Sequence, residues 1–100
     1  MSKSYRKWDE VAKGFLSDPE EARIFLIDAL EAYQEDGDQA AFLQCLRQGV
    51  EAQMGCTELS RRTGKSRQHL YEALSANGNP RLDTMLAILS AVGVLQKEAA

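Results

Sequence analysis

Between Thr57 and Ser75 the chain carries two short helix-forming stretches hinged on Gly64-Lys65-Ser66, and this punctuation restricts the fold more than any other feature. Leu59 anchors the first stretch, and Ser60 is small where two helices cross closely. Gly64 supplies the left-handed backbone of a tight turn, a conformation that side chains with a Cβ disfavour. Ser66 is an N-cap for the second stretch, in which Leu70 and Leu74 lie one turn apart and face the first. The spacing predicts helices over Thr57–Thr63 and Arg67–Ser75, arranged as a helix-turn-helix.

The flanking sequence is helical as well. Period-two alternation and clusters of β-branched residues are missing, so nothing reads as strand. Tyr5, Trp8, Val11 or Ala12, and Phe15 recur every three or four residues, which predicts a short helix over Ser4–Leu16 interrupted by Gly14. Asp18-Pro19-Glu20-Glu21 is a start signal, with Asp at the N-cap, Pro at the first helical position and Glu three residues after the cap. The helix it starts should run to about Glu35, with Ala22, Phe25, Leu26, Ala29, Leu30 and Tyr33 inward. Glu35-Asp36-Gly37-Asp38 ends it, and Asp38 caps a helix over Gln39–Gln53 with Phe42, Leu43, Leu46 and Val50 inward. Gly55 breaks the chain. Thr57, Ser66 and Asp83 are expected as the caps of the next three helices, the last of which spans Thr84–Val92 and stops at Gly93.

The expectation is therefore all-α, with five to six short helices in a single unit. Residues 1–37 form an N-terminal helical extension, 38–93 the helix-turn-helix core and 94–100 a short tail. At 100 residues and 44% hydrophobic, the chain supports one core rather than two. No run nears the ~20 apolar residues that span a bilayer, and nothing near Met1 resembles a signal peptide, so a cytoplasmic location is expected. Cys45 and Cys56 are too few and too badly spaced for a metal knuckle or a disulfide framework. His69 is the only histidine, which leaves any catalytic pair or His-based metal site without a second member. No phosphate loop, nucleophile elbow or HExxH is present. Neither enzyme activity nor a cofactor or metal is expected.

The net charge of -3 argues against a polyanionic partner until its distribution is considered. Residues 1–55 hold six Lys or Arg against eleven Asp or Glu, whereas residues 56–81 hold Arg61, Arg62, Lys65, Arg67 and Arg81 against only Glu58 and Glu72. Cations are concentrated where the two short helices lie, as contact with DNA phosphates requires. At the start of the second helix, Ser66, Arg67 and Gln68 are exposed, followed one turn later by Tyr71 and Glu72. Arg forks onto guanine, Gln onto adenine, and Glu accepts from cytosine. Thr57, Lys65, Asn77, Asn79 and Arg81 are placed to hold the phosphate backbone. His69 serves either DNA contact or helix packing. Two reading heads about one helical turn apart imply a homodimer on a near-palindromic operator in double-stranded DNA. Leu86, Leu89 and Val92, or the tail beyond Gly93, are candidates for the dimer surface.

Residues 55–94, and especially Leu-Tyr-Glu-Ala-Leu-Ser-Ala-Asn-Gly-Asn-Pro-Arg at 70–81, resemble the HigA-like probable addiction module antidote proteins of the Cro/repressor (XRE) helix-turn-helix class. Trp8-Asp9, Asp18-Pro-Glu-Glu and Asp36-Gly-Asp resemble that family's N-terminal half. The resemblance implies a lambda-repressor-like fold and an antitoxin of a type II toxin-antitoxin module. Such an antitoxin represses its own promoter and neutralises a small basic RelE-like toxin. Lys65 departs from the class, which usually carries an apolar residue there, as does Ser60, where Ala is commoner, and the link over Ala32–Gln34 is longer than usual.

On the acidic half, Ile24 points nearly opposite the inward stripe and Ile27 lies at its edge. With Asp28 and Glu31 they form either a toxin-facing surface or a solvated face. Tyr5 and Trp8 belong to that surface or staple the N-terminal helix to the core. Two other functions fit the residues: a stand-alone repressor without a toxin, and a helical protein-binding adaptor.

Overall fold

The computed structural model describes Gly14 and residues 16–95, and these contain five helices and no strand. They are α1 (Pro19–Asp36), α2 (Gln39–Gln53), α3 (Gly55–Thr63), α4 (Arg67–Ala73) and α5 (Leu82–Ala91). The helix expected over residues 4–16, with Tyr5, Trp8, Val11, Ala12 and Phe15, lies outside the described residues except for Gly14 and Leu16. So does most of the tail.

Local chemistry sets the ends of α1. The Asp18 carboxylate accepts from the Glu20 N–H at 2.9 Å, and Pro19 opens the helix. Gly37, at φ 68°, closes it in the left-handed conformation and donates to the Tyr33 carbonyl. Asp38 caps α2 through the Ala41 N–H at 3.1 Å. The short loop folds α2 back along α1, and Ala22 and Leu26 of α1 are buried against Phe42, Leu43, Leu46 and Val50 of α2. Gly49 makes this contact close, since a Cβ there would stand 3.0 Å from Leu26 Cδ1.

Two helix starts differ from expectation. Gly55, at φ 76°, begins α3 immediately after Met54, so Thr57 lies within the first turn and does not cap it. Likewise α5 begins at Leu82 after Arg81, and Asp83 sits in its first turn, accepting from the Thr84 N–H at 2.8 Å. The helix expected to reach Ser75 ends at Ala73, and the last one at Ala91 rather than Val92. Gly93, at φ 87°, is the stop that was expected, with the Val94 N–H bonded to the Leu89 carbonyl at 3.0 Å.

One apolar cluster joins all five helices. It runs from Leu26 through the α2 residues to Leu59, Leu70, Leu74, Ile88, Leu89 and Val92. Each fully buried leucine contributes about 1.5–3 kcal/mol relative to exposure. This burial corrects the placement of a dimer surface on Leu86, Leu89 and Val92. Leu89 and Val92 belong to the core, whereas Leu86 is exposed. No helix among the described residues is long and apolar enough to cross a membrane.

Candidate functional site

The three-residue link between α3 and α4 is fixed by its own hydrogen bonds. Gly64, at φ 76°, ends α3 and donates to the Ser60 carbonyl at 2.9 Å. The Ser60 hydroxyl donates to the Lys65 carbonyl at 2.6 Å. The Thr63 hydroxyl donates to the Leu59 carbonyl at 2.8 Å and accepts from the Lys65 N–H at 3.3 Å. Ser60 therefore does more than save space, for it ties the turn. The Ser66 hydroxyl caps α4 through the His69 N–H at 3.1 Å. Leu70 and Leu74 are buried and Leu59 lies beneath them, which turns the other side of α4 outward.

That outer side brings together Ser66, Arg67, Gln68, Tyr71 and Glu72, all of them exposed. Arg67 donates to the Thr57 hydroxyl of α3 at 3.3 Å. Gln68 and Glu72 meet at 3.5 Å one turn apart. The Tyr71 hydroxyl reaches back to Cys56, where it opposes the rise that burial imposes on the thiol pKa. Burial raises Cys45 as well, so both thiols stay protonated at neutral pH.

The cations divide into tied and untied. Arg61 and Arg62 both donate to Glu58, and Arg62 also reaches the Ala91 carbonyl at 3.3 Å. Hydrogen bonds from the two guanidiniums hold the Glu58 carboxyl down at about 2, below its ordinary 4.5. Lys65 lies 3.7 Å from Asp83, and Arg81 lies 4.0 Å from the same carboxylate. The Thr84 N–H, more than either cation, keeps Asp83 below the usual carboxylate range. Among the described residues, Arg67 is the one cation of segment 56–81 without a carboxylate within 4.0 Å.

The loop after α4 is braced from a distance. The Gln39 amide donates to the Gly78 carbonyl at 3.0 Å and to Asn79 Oδ1 at 3.3 Å. Gly78 packs so closely on the end of α4 that a Cβ would stand 2.3 Å from the Ala73 carbonyl oxygen. Asn77, Asn79 and Arg81 thus project from a held loop beside α4, around a polar hollow also lined by His69 and Glu72. His69 leans on α5, its Nε2 lying 3.3 Å from the buried Thr84 hydroxyl, so packing accounts for its placement. The brace through Gln39 and the close approach at Gly78 were absent from the sequence reading. Asn-Gly-Asn-Pro marks a turn but carries no sign of which carbonyl it approaches.

The second candidate surface is on α1. Ile24 is 47% exposed on the side away from α2, Ile27 is half-buried, and Asp28 and Glu31 are exposed. No group of three or more His, Cys, Asp or Glu among the described residues is arranged to hold a metal.

Among the described residues, fold and site together define a small all-helical protein whose two shortest helices, joined by a three-residue turn, present an arginine-bearing polar end beside a braced polar loop. A family profile described as probable addiction module antidote protein matches residues 10–99, and the chain belongs to that family. No curated protein and no solved structure matches the chain. An antidote is named for the toxin it counteracts, so membership implies a toxin partner in general terms.

Proposed function

We propose that this antidote is a sequence-specific DNA-binding protein that represses its own promoter, with α3 and α4 acting as a helix-turn-helix of the Cro/repressor type. The observation that carries the reading is Arg67. It stands at the N-terminal end of α4, exposed and without a carboxylate partner, where a recognition helix enters the major groove. Its contact to Thr57 orients the guanidinium without neutralising it. Gln68 and Glu72 supply adjacent base-reading groups, and Tyr71 adds an apolar contact. Ser66 uses its oxygen as a cap and keeps a hydroxyl proton for a phosphate. Asn79 accepts from Gln39 and keeps its amide donors. Thr57, Lys65, Asn77 and Arg81 complete the backbone contacts.

Two copies read a near-palindromic operator, and the reading gives the protein no catalytic role. The toxin contact falls on the outer side of α1, where an exposed isoleucine stands beside carboxylates suited to a small basic protein.

A fluorescence-anisotropy titration against the chain's own upstream DNA and a scrambled duplex, at two salt concentrations, tests the proposal. The upstream duplex is expected to bind preferentially, and more weakly at high salt. Arg67→Ala should lose about 1–3 kcal/mol and relax discrimination at one base pair. Equal or absent binding to both duplexes would leave a protein-binding adaptor. Adding the product of a neighbouring gene for a small basic protein should change the operator complex formed by the wild type, and Ile24→Glu should abolish that change. No such effect would leave a stand-alone repressor.

A further inference from the structure

We propose that a hollow between the α1–α2 turn and the start of α5 is a binding site for a small, uncharged aromatic amide, whose occupation stiffens the loop that carries Asn77, Asn79 and Arg81. The hollow measures about 290 Å³ and lies where α1, α2, the loop and α5 meet. Its floor is the core itself, since Phe42, Leu43 and Leu89 line it and are buried. Tyr33 and Met85 line it half-buried. Sites for small molecules share this form, an apolar concavity with a few polar groups that fix orientation.

The lining defines the ligand. It contains no Asp, Glu, Lys, Arg or His, although 27% of the chain is Asp, Glu, Lys or Arg. A charged ligand would lose hydration there without gaining a counter-ion, so the ligand is uncharged. The Tyr33 and Phe42 rings stand with centroids 5.8 Å apart, tilted by 37°. With the Met85 thioether, that pair offers the ring and sulfur surfaces on which a planar aromatic body packs.

The polar side of the hollow calls for an amide. Gln39 spends its amide hydrogens on the brace, at 3.0 Å to the Gly78 carbonyl and 3.3 Å to Asn79 Oδ1. Its Oε1 remains an acceptor, Asn79 Nδ2 remains a donor, and the Tyr33 hydroxyl serves as either. None of these three groups has a hydrogen-bond partner among the described residues. A carboxamide or lactam is the neutral head that gives an N–H to Gln39 and accepts one from Asn79. It thereby bridges the two braced residues and adds to the brace, and Asn79 keeps its second amide hydrogen for a phosphate.

Exposed Glu31, Gln34, Asp38, Arg81 and Asp83 stand next to lining residues in sequence and give the hollow a polar surround. That surround suits a ligand of one ring and its head better than a folded partner, which would need roughly 800 Å² of contact. The consequence for DNA rests on the DNA-binding reading, but the site itself does not.

Titration of the isotope-labelled full chain with benzamide, followed by NMR, tests the inference. Saturable shifts are expected at the Gln39 and Asn79 side-chain amides and the Met85 methyl, in the millimolar range natural to so small a ligand. Benzoate, of the same shape but charged, should not bind. Met85→Trp should fill the hollow and abolish binding, and Tyr33→Phe should weaken it several-fold. Circular-dichroism melts will show that the variants fold, and benzoate decides independently of either. No saturable shift, equal binding of benzoate, or wild-type binding in both variants overturns the inference. Shifts at the same residues that grow with protein concentration alone would assign the hollow to a second copy and overturn it too. Saturating benzamide should also tighten the wild type on its upstream duplex several-fold and leave Met85→Trp unaffected; an unchanged wild type would overturn the link to the loop. Benzamide binding in a protein with no preference for its upstream DNA would overturn the DNA-binding reading and leave the site standing.

Discussion

Gly78 shows how one missing side chain sets the position of a loop. Its φ lies outside the left-handed range, so the requirement is for space and not for backbone freedom. A Cβ would meet the Ala73 carbonyl oxygen at 2.3 Å and the Glu72 carbonyl oxygen at 2.8 Å, and neither backbone atom yields as a flexible side chain does. Gly78→Ala is therefore predicted to cost about 1–3 kcal/mol, the usual range for overpacking, measured as a lower midpoint in urea unfolding. It should also weaken DNA binding by displacing Asn77 and Asn79. A variant as stable as the wild type would refute the close approach. Glu58 bears on acid stability. Its folded pKa of about 2 lies below the ordinary 4.5, so its ion pairs stabilise the fold fully above pH 4.5, and that contribution disappears as pH falls towards 2. Glu58→Gln should lower the melting temperature at pH 7 and make little difference near pH 2. The effect at pH 7 should be small, because the pairs are largely exposed. A gap that does not shrink with acid would mean the pairs contribute nothing.

At the scale of the element, the turn between α3 and α4 separates backbone strain from crowding. A Cβ at Gly64 would have nothing within 4 Å, yet φ is 76°. Gly64→Ala is predicted to cost about 1–2 kcal/mol through strain alone, and Gly64→Asn less, since Asn tolerates the left-handed region. Chemical unfolding of the pair checks this, and equal losses would point to crowding instead. This turn was legible in the sequence, as were the caps at Asp18, Asp38 and Ser66. In each of these a side chain bonds a backbone group two or three residues away. Thr57 and Asp83 are cap-forming residue types too, but the chain turns helical before it reaches them. Gly55 starts α3 directly from the end of α2, and Leu82 follows an extended Arg81. The inward face of α5 was misread for a related reason. Leu82, Met85, Leu86, Ala87, Ile88, Leu89, Ala91 and Val92 make the segment apolar on nearly every side, so periodicity does not choose between faces. Only packing against α3 and the core buries Leu89 and Val92 and leaves Leu82 and Leu86 outside. The Gln39 brace lies 39 residues from Gly78 and has no local signature at all.

Across the whole molecule, charge decides how strongly salt governs binding. The chain is net -3, and most of the cations in the candidate interface already face carboxylates. The proposed DNA binding therefore cannot rest on a general attraction between the molecule and a polyanion. It must draw on a few cations held in the right place. On the proposed reading Arg67 goes to a base, which would leave Lys65 and Arg81 as the phosphate-facing cations of each reading head. Four such contacts in a dimer would give a log–log salt slope of roughly -3.6 and a loss of about a hundredfold between 50 and 200 mM salt. The two residues are not equivalent. Arg81 is 87% exposed and 4.0 Å from Asp83, whereas Lys65 is 27% exposed and 3.7 Å from that carboxylate. Lys65 must give up a closer contact to reach a phosphate, so its counterion release is partly offset. Arg81→Gln is accordingly predicted to make the slope shallower by about 2, one contact in each of two subunits, and Lys65→Gln by clearly less. Anisotropy titrations across a salt series measure both. The reverse order would mean that Asp83 releases Lys65 on binding and that α5 shifts against the α3–α4 turn when DNA is engaged.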